Sequence, residues 1–122
     1  MTMTDGIIDP TPIDRIAQVI GEKKIKNQQL KFAINDHISF KLEYMKKSND
    51  LLLNTDFKKV LNESRPTVAM KEAYIDNELF TLKSELEISK ENISAIKRDI
   101  EILDNELKMF EYEIQMELQN DE

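Results

Sequence analysis

The sequence predicts an all-α fold: a long helical hairpin or coiled coil, assembled into an oligomeric helical bundle. Three observations carry that expectation. Only two glycines and three prolines punctuate 122 residues, and 34% of the chain is charged, the profile of long helices. The C-terminal half holds one unbroken heptad register, in which Leu79, Leu86, Ile93, Ile100, Leu107 and Ile114 alternate with Ile75, Leu82, Ser89, Ile96, Leu103 and Phe110. Eleven of these twelve positions are apolar, and a stripe recurring every 3.5 residues stays on one side of a helix only if that helix winds around another. Finally, the one period-2 stretch, Ile38, Phe40, Leu42 and Tyr44, has no second candidate strand to pair with, so its backbone is better satisfied in a helix.

Residues 1–10 read as a disordered leader. Thr11 is an N-cap, Pro12 occupies the first helical position and Asp14 stands three residues after the cap, so a first helix is expected over 11–48. Its opening apolar face is Ile13, Ile16, Ala17 and Ile20, after which Lys23, Lys24 and Asn27 fall on the same side. Either a kink at Gly21 or a continued but exposed stretch through residues 22–29 is therefore expected. From Leu30 to Met45 the apolar residues cover an arc of roughly 200°, wide enough to meet two neighbours.

Residues 49–66 read as a linker with a short helix capped by Thr55 and carrying Phe57, Val60 and Leu61. Pro66 disfavours helix at Arg65, which places the start of the long heptad helix at Thr67 and its span at 67–118. An acidic tail follows over 119–122. At 1.5 Å per residue that helix is roughly 78 Å long. Beside its seam runs a second apolar line, Tyr74, Ile88, Ala95, Ile102, Met109 and Met116, with Thr81 as its polar exception. A two-stranded coil leaves that position wet, so the line calls for a bundle of three or more helices.

Net charge is −7, divided as −2 over residues 1–20, +5 over 21–71 and −10 over 72–122. A basic middle and an acidic C-terminal half attract each other, within a chain or between chains. Glu78, Glu85, Asn92, Asp99, Glu106 and Glu113 precede the first core series without a single base, so the long helix pairs poorly with itself in antiparallel fashion. The basic first helix is the better partner, which makes the expected unit a hairpin that further self-associates. The oligomerisation seam is then Ile75, Leu79, Leu82, Leu86, Ile93, Ile96, Ile100, Leu103, Leu107, Phe110 and Ile114.

Enzyme chemistry finds few footholds. Without cysteine there is no thiolate metal site, and with glycine only at 6 and 21 there is no phosphate-binding loop. His37 is the single histidine and reads as a packed or interface residue, and one histidine excludes a di-iron bundle. No cofactor or metal is expected. With neither an export signal nor a membrane span in the sequence, the expected location is cytoplasmic and off the membrane. Lys41, Lys46, Lys47, Lys58, Lys59 and Arg65, interleaved with Phe40, Tyr44 and Phe57, are candidate contacts to single-stranded nucleic acid. The competing reading makes the aromatics core and sets the lysines against the acidic helix, and it is the favoured one.

The Lys, Ile, Asn and Glu bias, with Arg65-Pro66-Thr67 ahead of a long heptad helix, resembles small all-helical accessory proteins of phages and mobile elements. The resemblance covers about the last 60 residues. It implies a role as an accessory factor in recombination or replication, where such proteins include oligomeric recombination mediators, and it carries over no functional residue. The function expected from the residues themselves is that of a non-enzymatic, self-associating coiled-coil protein whose partners are itself and another protein. The alternatives are the phage-type factor acting through the basic middle, or an acidic helix that inhibits a nucleic-acid-binding protein.

Overall fold

The computed structural model describes residues 11–120. The chain is all-α, with helices α1 (Pro12–Asn54), α2 (Phe57–Val60), α3 (Val68–Glu78) and α4 (Phe80–Asn120), and the described residues contain no strand. The leader and the last two residues of the tail lie outside them. No helix among the described residues is long and apolar enough to cross a membrane.

Each helix start has a local cause. The Asp14 N–H donates to Thr11 Oγ1 at 3.1 Å while the Thr11 N–H donates back to Asp14 Oδ2 at 3.3 Å, a reciprocal capping box around Pro12. Thr67 caps α3 by accepting the Met70 N–H at 3.1 Å. At α2 the cap is Asp56, whose carboxylate accepts the Lys59 N–H at 3.3 Å, one residue beyond the expected Thr55. The α2 terminus is a Schellman turn: the Glu63 N–H reaches the Lys58 carbonyl, the Asn62 N–H reaches the Lys59 carbonyl, and Asn62 sits at φ 50°.

Three expectations resolve or change. Of the two alternatives at Gly21, α1 takes the continued helix, and an added Cβ there would meet nothing within 4 Å, so this glycine costs helix propensity but no packing. α1 also runs past its expected end at 48 to Asn54, taking in the start of the expected linker. The long C-terminal helix is divided at Leu79 (φ −102°, ψ 23°) into α3 and α4, although the Leu79 N–H still bonds Ile75 O and the Lys83 N–H bonds Leu79 O, both at 2.9 Å.

The chain divides into two compact units. In the first, α1 up to Lys31 pairs with α4 from Ser94 onward. Its contacts run Arg15 to Phe110, Lys23 to Asp104 and Lys26 to Asp99, so the helices are antiparallel, and Val19, Ile96 and Leu103 are buried between them. The second unit spans Phe32–Ile93 and pairs His37 with Ser89 and Tyr44 with Asp76, again antiparallel. Its buried residues are Ala33, Phe57, Ile75, Leu82 and Ser89, with the Phe57 ring edge-on to Tyr74 at 5.9 Å and the Lys71 ammonium 5.4 Å from the Phe57 ring centre.

The inward row of α1 is Ile16, Val19, Lys23, Lys26, Leu30, Ala33, His37, Phe40 and Tyr44, every one buried or half-buried. Its steps of three and four residues are a heptad of its own. Ile13 and Ile20, expected on the opening apolar face, are exposed instead, and Val19 takes their place. Lys23 and Lys26 tolerate inward positions because their alkyl stems lie on the seam while their ammonium groups reach acids of α4. The same geometry explains why 38–44 is helical: Phe40 and Tyr44 turn inward while Ile38 and Leu42 turn out.

Candidate self-association surface

The heptad positions of α3 and α4 are occupied within the chain. Ile75, Leu82, Ile96 and Leu103 are buried, and Leu79, Leu86, Ile93, Ile100, Leu107, Phe110 and Ile114 are half-buried. The Arg15 guanidinium covers the Phe110 ring at 5.6 Å.

Polar groups on this seam are matched pair by pair. Ser89, the one polar residue of its series, stands 2.8 Å from His37 Nδ1 and donates its hydroxyl proton to the Leu86 carbonyl at 2.8 Å. A serine has one proton to give, so His37 Nδ1 is the donor of that pair and carries its hydrogen there. Tyr44 Oη donates to Asp76 Oδ1 at 2.7 Å, and Lys83 Nζ stands 3.1 Å from Asp76 Oδ2. The Tyr44 bond, aided by Lys83, holds the Asp76 carboxyl below the ordinary aspartate range. The same bond, with some burial, lifts the Tyr44 hydroxyl above its usual value. Lys26 Nζ meets Asp99 Oδ2 at 3.1 Å, with Lys23 on Asp104 beside it. These half-exposed ion pairs add little net stability, but they set which turn of α1 faces which turn of α4.

What the intrachain pairing leaves open is the second line of α4. In the first unit Ile102 is 56% exposed and Met109 62%, with Met116 exposed beyond them. In the second unit Ile88 is 65% exposed. Beside Ile102 lies a groove of about 310 Å³ lined by Glu22, Ile25 and Lys26 of α1 and Asp99, Ile102 and Leu103 of α4. Solvent-exposed apolar residues at seven-residue spacing form a ready seam for a further helix.

The candidate nucleic-acid residues all lie in the second unit. Lys41, Lys46, Lys58, Lys59 and Arg65 are exposed, and Lys47 is exposed but pairs with Glu43 at 3.0 Å. Of the aromatics meant to stack bases among them, Phe57 is 6% exposed and enclosed by Tyr74 and Lys71, and the Tyr44 hydroxyl is spent on Asp76. The inward row of α1 escaped the sequence reading because Lys23, Lys26 and His37 break its polarity. The signal that finds it is the run of three- and four-residue steps through Ile16, Val19, Leu30, Ala33, Phe40 and Tyr44.

No protein-family model matches the chain, and no curated protein and no solved structure matches it.

Proposed function

We propose that the protein is a non-enzymatic interaction protein: a helical hairpin that self-associates through the outer apolar line of α4. The observation that carries this reading is the exposure of Ile102 and Met109, seven residues apart on a helix whose inner face is already satisfied by α1. Burying what remains exposed of two such side chains is worth about 1–2 kcal/mol each. The occupant is a second copy, because each copy carries both a basic segment, +5 over residues 21–71, and an acidic one, −10 over 72–122.

Light scattering across a concentration series tests the reading. The wild-type chain is expected at a discrete multiple of 14.3 kDa, and Ile102→Asp with Met109→Asp at one chain's mass with helicity unchanged. A wild-type monomer at all concentrations, or a double variant with wild-type mass, overturns it. Ile96 and Leu103 do not serve for this test, since both are buried against α1 and a charge there unfolds the hairpin itself.

A further inference from the structure

α1 has an outward row as regular as its inward one. Ile13, Ala17, Ile20, Lys24, Asn27, Lys31, Ile34, Ile38, Lys41, Met45 and Leu52 follow steps of three and four residues, with Ser48 completing the series, and all but Ser48 are exposed. No strand, loop or helix of the chain covers it among the described residues. Its apolar members include Ile20, Ile38 and Met45; its charged members are Lys24, Lys31 and Lys41, with no acid in the row.

The outward line of α4 has the opposite character. Ile88, Ala95, Ile102, Met109 and Met116 are flanked on the groove side by Glu85, Asp99, Glu106 and Glu113, with Asn92 the uncharged member and no base. Asp99 is engaged by Lys26, whereas Glu85, Glu106 and Glu113, like Lys24, Lys31 and Lys41, enter no ion pair among the described residues. In the first unit the two rows thus share a repeat, carry exposed apolar residues (Ile13 and Ile20 on α1, Ile102 and Met109 on α4), and differ in sign.

From this we infer that, in the first unit, the outward row of α1 (Ile13 to Lys31) in one copy is the partner of the outward line of α4 (Ile102 to Met116) in the next. The inference rests on the self-association proposed above and names the surface that completes it. Pairing α4 with α4 places Glu106 and Glu113 against acids, and pairing α1 with α1 places lysines against lysines; only the mixed contact sets Lys24 and Lys31, seven residues apart, against Glu106 and Glu113, also seven apart. Each copy carries both halves, so the contact is heterologous or, where two copies exchange α1 for α4 mutually, made twice about a two-fold axis.

A charge-swap experiment decides it. Variant one carries Lys24→Glu and Lys31→Glu; variant two carries Glu106→Lys and Glu113→Lys. Alone, each is expected to associate at least about tenfold more weakly than wild type at low salt, because every attractive pair becomes a like-charged one. An equimolar mixture of the two is expected to recover the wild-type mass, since the acidic α1 of one then meets the basic α4 of the other. Circular dichroism checks that each variant retains its helix content, as substitutions at these unpaired surface positions should. Where a variant loses helicity, the lysine-to-glutamine and glutamate-to-glutamine versions replace it and salt-independent association is the expected result. An assembly that survives the variant-one substitutions, or a mixture that stays dissociated, overturns the inference while leaving self-association standing. A wild-type monomer removes both and points to a different protein on α4.

Discussion

Leu103 and Ile102 are neighbours in sequence, both aliphatic, and expected to fail in opposite ways. Leu103 is 7% exposed between α4 and α1, so Leu103→Ala withdraws three carbons from the hairpin core, about 2.5 kcal/mol at roughly 0.8 kcal/mol per carbon. The groove of about 310 Å³ alongside gives the site room to relax, which keeps any added cavity cost small. Ile102→Ala removes a side chain already more than half in water, forfeiting about 1 kcal/mol of burial and regaining roughly 0.5 kcal/mol from the better helix propensity of alanine. Urea unfolding followed by circular dichroism at low micromolar protein, where association contributes little, reads the first quantity; light scattering at high concentration reads the second. The expected pattern is a loss of about 2.5 kcal/mol for Leu103→Ala, a change within about 0.5 kcal/mol for Ile102→Ala, and weakened assembly for Ile102→Ala with the hairpin intact. Equal destabilisation by the two substitutions, or unweakened assembly with Ile102→Ala, would refute the division of α4 into an inner and an outer face.

Ser89→Ala leaves His37 Nδ1–H without its partner, and a loss of about 1 kcal/mol is expected; in the double-mutant cycle with His37→Leu most of that loss is recovered, and additive effects in urea unfolding would contradict the pairing. The Tyr44–Asp76 bond contributes to stability in a window set by both groups. Because the Asp76 pKa is lowered on folding, its share is present above the ordinary aspartate range and lost as pH falls through the folded value; because the Tyr44 pKa is raised, its share is present below about 10 and lost as pH rises beyond. The stability difference between wild type and Tyr44→Phe is therefore expected to be flat from about pH 5 to 9 and to shrink on both sides, and a difference independent of pH down to 2 would count against it. At Asn62, with φ 50°, Gly is expected to match or exceed Asn in thermal unfolding and Val to cost about 1–2 kcal/mol; a neutral Val would remove the Schellman turn from the account.

Much of this architecture is visible in local chemistry. Thr11-Pro12 with Asp14 announces the start of α1 by cap alone, and the apolar heptads of the C-terminal half announce a helix pair. What sequence periodicity hides is the inner face of α1, because a heptad seam that carries Lys23, Lys26 and His37 does not register as apolar. It becomes legible only with its counterparts Asp104, Asp99 and Ser89, which lie on another helix. Ile13 and Ile20 mislead for the complementary reason: they are the more hydrophobic row, yet the acids of α4 select the row with lysines. The division at Leu79 has no sequence signal, since neither glycine nor proline stands near it, and the choice of Asp56 over Thr55 is a one-residue contest between two competent caps.

The antiparallel pairing also orders events in time. Tyr44 and Asp76 are separated by 32 residues, His37 and Ser89 by 52, and Lys26 and Asp99 by 73. Closing the longest of these loops first costs about 0.7 kcal/mol more in chain entropy than closing the shortest, a bias toward pairing that starts beside the Asn62 turn. During synthesis α1 is complete before any of α4 has been made, and for that interval both of its rows face solvent. On the self-association proposed above, folding of one copy draws on the inward row of α1 and joining of two on its outward row, so neither step would have to wait for the other.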